Sequence, residues 1–398
     1  MNPSETRYLS SFDKPEGKPR FRCLMVITGL STGGAETMLL KLAPRLLRSM
    51  EVHVVSLGSL GEIGPKLISA GVNVTALGMN ASRPKVSAVY RLRRFIRDFS
   101  PDVVMTWLYH ADLVGGVAAR LAGVRAVAWN VRHSSAPSSG TKLSTRLVMG
   151  SCRWFSKTIP AQIVSCSQVA RDLHVAIGYR KDSWTVIPNG FDLSSFHPDQ
   201  AARDEVRQEL GIAPNTPLIG LIARWDPQKN HRGFIQMAAK ISTEIPDAHF
   251  LLAGREIDSG NSTLMKWVQD AGLASRVHLL GLRTDVPRLT AALDVATLVS
   301  SFGEAFPNAV GEAMACGIPC VVTDVGDSAE IVGDTGIVCR PDDIDALAAS
   351  CIRLLQSEEA ARLQLGVLAR ERVSSNFDIE EVARQYAEFL RALPARRH

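Results

Sequence analysis

Short, nearly unbroken apolar runs alternate with helical segments along this sequence, and the alternation happens twice. Phe21 to Thr28 (FRCLMVIT) is an apolar run of strand length that leads through a glycine-rich turn, Gly29 to Gly34, into helical sequence from Ala35. The same unit recurs at 52–57 (VHVVSL), 72–77 (VNVTAL), 102–107 (DVVMTW), 124–129 and 161–165, with helices expected near 62–70, 84–99 and 109–122. Strands that are apolar throughout, and not at every second residue, are covered on both faces, and helices of ten or more residues between them allow parallel neighbours. The pattern breaks at Ile187-Pro188-Asn189-Gly190 and the polar, aperiodic stretch 191–202. It restarts at 217–223 (PLIGLIA) and continues through 248–254, 276–281, 294–299, 318–323 and 336–340, and three helices near 343–355, 357–374 and 378–392 close the chain. The expected fold class is α/β, two Rossmann-like, doubly wound parallel-sheet domains facing a central cleft. The expected boundaries are a flexible tail at 1–20, an N-terminal domain at 21–190, a C-terminal domain at 191–375, and a last helix at 376–398 packing back across the junction.

A chain of 398 residues is long enough for two such domains. Its formal charge of +5 is spread without a long single-sign block, which does not argue for nucleic acid. Seven cysteines at irregular spacing, with no CxxC, read as reduced, buried thiols of a cytoplasmic protein. The first twenty residues carry no apolar run, so no secretory signal is expected.

Three clusters could carry chemistry. Gly33-Gly34-Ala35-Glu36 lies where the first strand meets the first helix, where small residues let a ligand approach the backbone and helix N–H groups favour an anion. Glu36 itself reads as a carboxylate complementing the helix dipole. Arg224 and Lys229 follow the first strand of the second half, a planar fork and a point charge suited to a diphosphate. The densest cluster is Glu304-Ala305-Phe306-Pro307-Asn308-Ala309-Val310-Gly311-Glu312. Pro307 suits a first helical turn, which puts Glu304 just outside a helix N-terminus and Glu312 inside the helix, near the same face. The backbone N–H groups of Ala305, Phe306, Asn308 and Ala309 would then be available to a phosphate or sugar oxygen.

Taken together, GGAE, IPNGFD at the junction, the Arg224/Lys229 pair and EAFPNAVGEAMACGIPCVVTDVG resemble the retaining nucleotide-sugar glycosyltransferases of family 4, which have the GT-B fold. The resemblance runs from about residue 22 to 392, and its most specific element is Glu304 with Glu312, the family's EX7E motif. It implies that Glu312 bonds the ribose hydroxyls of the nucleotide, that Glu304 and the backbone after it hold the donor sugar, that Arg224 and Lys229 neutralise the diphosphate, and that Gly33-Gly34 closes over it. His110 stands where similar enzymes place a histidine at the transferred sugar, and His133 is a candidate on the acceptor side. The other seven histidines show no pairing pattern. The resemblance further implies a retaining, hexosyltransferase-type enzyme that moves a sugar from a nucleoside-diphosphate sugar, with UDP the expected base, to a saccharide or lipid-linked acceptor in cell-surface polysaccharide or lipopolysaccharide synthesis. The alternatives are a sugar-nucleotide epimerase on the same scaffold and a non-catalytic nucleotide-sugar-binding partner.

Two departures from the family pattern are Ala223 and Asn230, where relatives often carry glycine beside the cations; both are compatible with a loop at negative φ. Asp343-Ile344-Asp345 has the letters of a metal-binding DxD but follows Pro341 and opens a helix, so capping is expected and neither metal nor cofactor. The stretch 141–160 interleaves Lys142, Arg146, Arg153 and Lys157 with Leu143, Leu147, Trp154 and Phe155. It reads either as a basic amphipathic helix in peripheral contact with the cytoplasmic membrane face or as a covering helix of the sheet.

Overall fold

The computed structural model describes residues 20–79, 86–132, 134 and 143–393. The chain divides into two compact units, one holding residues 1–132, 136–190 and 380–398, the other 133–135 and 191–379. The expected tail falls outside the described residues except for Arg20.

In the first unit the elements run β1 (Arg22–Ile27), α1 (Gly34–Leu46), β2 (Glu51–Ser56), α2 (Ile63–Ser69), β3 (Asn73–Ala76), α3 (Val86–Phe99), β4 (Val103–Trp107), α4 (Tyr109–Leu121), β5 (Val127–Val131), α5 (Leu143–Phe155), β6 (Gln162–Ser165), α6 (Gln168–Ala176) and β7 (Trp184–Val186). All seven strands are parallel, in the order β3-β2-β1-β4-β5-β6-β7. The order reverses direction between β1 and β4, the switch point at which ligands bind such sheets. Met25, Val26 and Ile27 are fully buried, as a strand covered on both faces requires. The seventh strand is a three-residue edge, Trp184–Val186, too short to stand out as a periodic run just ahead of the junction.

The second unit comprises α7 (Gln200–Glu209), β8 (Leu218–Ile222), α8 (His231–Glu244), β9 (His249–Ala253), α9 (Ser262–Asp270), β10 (Val277–Leu279), α10 (Val286–Ala291), β11 (Val295–Leu298), α11 (Asn308–Ala315), β12 (Cys320–Thr323), α12 (Ser328–Val332), β13 (Ile337–Cys339), α13 (Ile344–Gln356) and α14 (Glu359–Phe377). Its six strands are also parallel, ordered β10-β9-β8-β11-β12-β13, with the reversal between β8 and β11. Asp294, just before β11, accepts from Arg203, Arg207 and the Leu218 N–H, tying α7 to the start of the central strand pair.

The last helix, α15 (Ile379–Ala392), belongs with the first unit: Glu380 pairs with Arg45 and Arg48 beside α1, and buried Tyr386 accepts from Arg132 at the end of β5. Its counterpart α14 stays in the second unit, where Arg370 donates to the carbonyls of Phe196 and Ala315.

Candidate active site

In the second unit, the candidate residues gather at the carboxyl ends of β8 and β11. After β8, Asp226 caps a single 3-10 turn (Pro227–Lys229), accepting from the Gln228 N–H at 3.0 Å, and Arg224 folds back onto the same carboxylate at 2.8 Å. Burial raises the pKa of Asp226, but the Gln228 N–H and the Arg224 guanidinium outweigh it and hold the carboxyl below its usual range. Asn230 ends that turn and begins α8 at φ +49°, its side chain capping the Gly233 N–H at 2.9 Å. The loop therefore does not keep negative φ: it passes through the left-handed region, which asparagine enters at little cost, so no glycine is needed there.

The cation pair divides. Arg224 is about half exposed and rests on Asp226, whereas Lys229 points inward and donates to Glu304 Oε1 at 2.5 Å. Ser300 Oγ donates to the same oxygen at 2.6 Å. Glu304, a charged residue only 6% exposed, thus has its charge met by an ammonium and a hydroxyl on one oxygen, the kind of pairing a buried carboxylate needs. The turn that carries it is gripped from the next strand. Gly326 stands at φ +63°, its Asp327 neighbour donates to the Ala305 carbonyl at 2.9 Å, and a Cβ on Gly326 would run into the carbonyl oxygens of Glu304 and Ala305.

Helix α11 begins at Asn308, so Pro307 occupies the cap and not the first helical position, and Ala305 and Phe306 are buried in the loop before it. Ala309 and Glu312 both line a narrow recess with Gly220, at the centre of β8, and Thr297 of β11. This places the two glutamates on one helix and its entry loop, as their spacing required. Gly311 lets α11 sit close: a Cβ there would enter the ring of Phe191. Asp343, the first residue of the DxD letters, accepts from the Ala346 N–H at 2.9 Å and caps α13, and Asp345 pairs with Lys240.

Sequence reasoning missed Ser300, Asp226 and Gly326, which lie outside the motif and are recruited by the fold. It also missed Asp342. That residue accepts from Ser301 Oγ at 2.5 Å and Asn230 Nδ2 at 3.1 Å, joining the loops after β8, β11 and β13.

In the first unit, Gly33 caps α1 with extended backbone, φ −163°, and its carbonyl receives the first helical bond from the Thr37 N–H. The Glu36 carboxylate folds back toward the Gly33 Cα, in the manner of an N3 glutamate at a helix start. His110 sits in the first turn of α4, directly after β4, the strand that pairs with β1, so it and Gly33-Gly34 share the switch-point end of that sheet. Burial alone lowers the His110 pKa, which favours the neutral imidazole. The α4 turn is held rigidly. Leu108 before it adopts φ +73°, Asp112 accepts from Thr106 Oγ1 at 2.5 Å, and Tyr109 Oη lies 2.7 Å from His174 Nε2. His174 is thus one of several histidines with partners that spacing did not disclose; His249 and His278, on adjacent strands, are also 2.9 Å apart. His133 lies outside the described residues.

The family models now bear on this geometry. The model described as Glycosyltransferase Family 4 matches residues 32–195, and that described as Glycosyl transferases group 1 matches 216–357. The chain belongs to glycosyltransferase family 4. Among curated relatives, an Escherichia coli protein named UDP-Gal:alpha-D-GlcNAc-diphosphoundecaprenol alpha-1,3-galactosyltransferase is 28% identical over 68% of this chain and 70% of its own length. The N-acetyl-alpha-D-glucosaminyl L-malate synthase of Bacillus anthracis is 35% identical over 46% of this chain and 47% of its own. Among solved structures, Anabaena HepE in complex with UDP superposes with a TM-score of 0.81 at 22% identity, covering 94% of this chain and all of that one. This family 4 glycosyltransferase therefore has the GT-B architecture of two Rossmann-like parallel-sheet domains.

Proposed function

We propose that this glycosyltransferase moves a hexosyl group with retention from a UDP-sugar to a saccharide or lipid-linked acceptor, without a metal. The observation that carries the reading is the joint placement of Glu304, clasped by Lys229 and Ser300 at the mouth of α11, and Glu312, farther along the same helix on the recess beside Gly220. Glu312 holds the ribose hydroxyls and Glu304 the hydroxyls of the sugar. As the glycosidic bond breaks, negative charge grows on the leaving diphosphate. The ammonium of Lys229 keeps donors beyond the one given to Glu304, and Arg224 on its exposed arm swings from Asp226 onto the phosphates; fixed charges of this kind supply the main stabilisation of such a transition state. His110 is assigned to the sugar, the Gly33-Gly34 turn to the diphosphate and His133 to the acceptor.

A lipid-linked acceptor is supported by helix α5. At about 100° per residue, Leu143, Leu147 and Trp154 fall within about 40° of one another, opposite the buried Cys152. They are 71%, 65% and 75% exposed. Arg146 and Arg153 line one flank of this stripe, Lys157 follows in the turn after the helix, and between Asp112 and Asp172 the sequence has no acidic residue and eight Lys and Arg. A covering helix would expose a polar face; this one exposes an apolar face rimmed by cations, the chemistry of an anionic bilayer surface. Among the described residues no helix is long and apolar enough to cross a membrane, so contact would be peripheral.

Binding and hydrolysis of a panel of nucleotide sugars, with and without EDTA, test the reading. One UDP-sugar should bind, insensitive to EDTA and weakened in Arg224→Ala; if none binds, the proposed reaction is refuted. Co-flotation with phosphatidylglycerol vesicles, lost in a Leu147→Glu/Trp154→Glu variant and at high salt, tests the membrane face. Flotation unaffected by both would refute it.

A further inference from the structure

The two oxygens of the Glu304 carboxylate are not equivalent. Oε1 receives both the Lys229 ammonium and the Ser300 hydroxyl, while Oε2 receives no donor from the described residues. A glutamate's terminal torsion is soft and roughly two-fold, so nothing within Glu304 itself decides which oxygen points where. Lys229 alone cannot decide it either, because an ammonium on a four-carbon stem follows either oxygen. Ser300 differs. It is 1% exposed, it lies two residues beyond β11, and its carbonyl accepts from Thr323 Oγ1 on the neighbouring strand at 2.7 Å. The next residue is fixed as well, the Ser301 N–H donating to the Gln228 carbonyl at 3.0 Å. The Ser300 hydroxyl is therefore a donor held at one point by the sheet, and with Lys229 it occupies one oxygen of Glu304 and leaves the other without a donor from the described residues.

We infer that Ser300 is a positioning residue that sets sugar specificity: by fixing Oε1 it presents Oε2 as a single, oriented acceptor for one hydroxyl of the transferred sugar. Epimers that place this hydroxyl elsewhere would leave a buried carboxylate oxygen unpaired, and sites built on hydrogen bonds reject such analogues strongly. Nucleotide binding, which falls to Glu312, is separate. The inference rests on the proposed role of Glu304 at the donor sugar.

The experiment compares the parent protein with Ser300→Ala and Ser300→Thr. Calorimetry gives Kd for UDP and for UDP-glucose, UDP-galactose and UDP-N-acetylglucosamine, and donor hydrolysis gives kcat/KM for each. In the parent, binding of UDP and one preferred sugar nucleotide establishes the site; if the parent binds no nucleotide, the reading of the site fails and Ser300 falls with it. Given parental binding, Ser300→Ala should leave the UDP Kd within twofold and cut the kcat/KM preference for the favoured sugar over its epimer by tenfold or more. Ser300→Thr, which keeps the hydroxyl, should restore the preference to within threefold. Each of three outcomes overturns the assignment: unchanged preference in Ser300→Ala, an equal loss of UDP affinity, or failure of Ser300→Thr at parental Tm to restore preference. An alanine variant that does not fold would make Ser300 a structural residue and overturn it too.

Discussion

Replacing Lys229 by methionine should destabilise the second unit by about 3 kcal/mol. The ammonium and the Glu304 carboxylate lie 2.5 Å apart with 16% and 7% of their side chains exposed, so both charges are largely removed from water. Removing one partner of a buried ion pair costs about 3–5 kcal/mol, because the other charge is left without compensation. The lower end applies here, since Ser300 still donates to Oε1. Glu304→Gln should cost less, about 1 kcal/mol, because the freed lysine can extend its ammonium to solvent. The double variant has no orphaned charge, so it should be about as stable as Glu304→Gln alone, a coupling of about 2–3 kcal/mol between the two sites. Thermal melting of the four proteins measures this, with Lys229→Met lowering Tm by roughly 6–12 °C at 2–4 °C per kcal/mol for a unit of this size. If the two single effects simply add, or Lys229→Met melts with the parent, the pair is not an energetic unit and the reasoning about the buried Glu304 is wrong.

Glu312→Ala should weaken UDP binding by tenfold or more, read by calorimetry, while Arg224→Ala should lower kcat more than it raises KM, read in steady-state kinetics. Gly311→Ala forces a methyl into the ring of Phe191 and should cost about 1–3 kcal/mol of stability, visible as a lower urea midpoint. Acid should destabilise both units: burial lowers the pKa of His53 to about 4, with Arg22 adding to the effect, and burial lowers that of His231 to about 4. Between pH 6.5 and 4 the unfolded chain binds the protons the folded chain refuses, so their contribution is complete above pH 6.5 and is lost as pH falls toward 4. At pH 5 each costs about 2 kcal/mol by linkage, and stability curves that stay flat from pH 7 to 5 would contradict this.

The sequence by itself determined the α/β class and the number of sheets, because a strand covered on both faces must be apolar at every residue and a parallel neighbour must be reached through a helix. It also determined that Glu304 and Glu312 share one helix and its entry loop, since that placement follows from local spacing. Tertiary structure decided what each charge does. Lys229 and Arg224 look alike as a cation pair in the sequence, yet one is buried on Glu304 and the other is exposed on Asp226, with the 3-10 turn capped by Asp226 between them. Ser300, Gly326 and Asp342 come from three different strand ends, and no spacing rule joins them. Helix α5 shows the same division: its alternation of cations and large apolar side chains was legible, but only the packing, which buries Cys152 and leaves Leu143, Leu147 and Trp154 exposed, shows that the apolar stripe points outward. Periodicity records which faces a helix has, and only packing against the rest of the chain chooses the one that is buried.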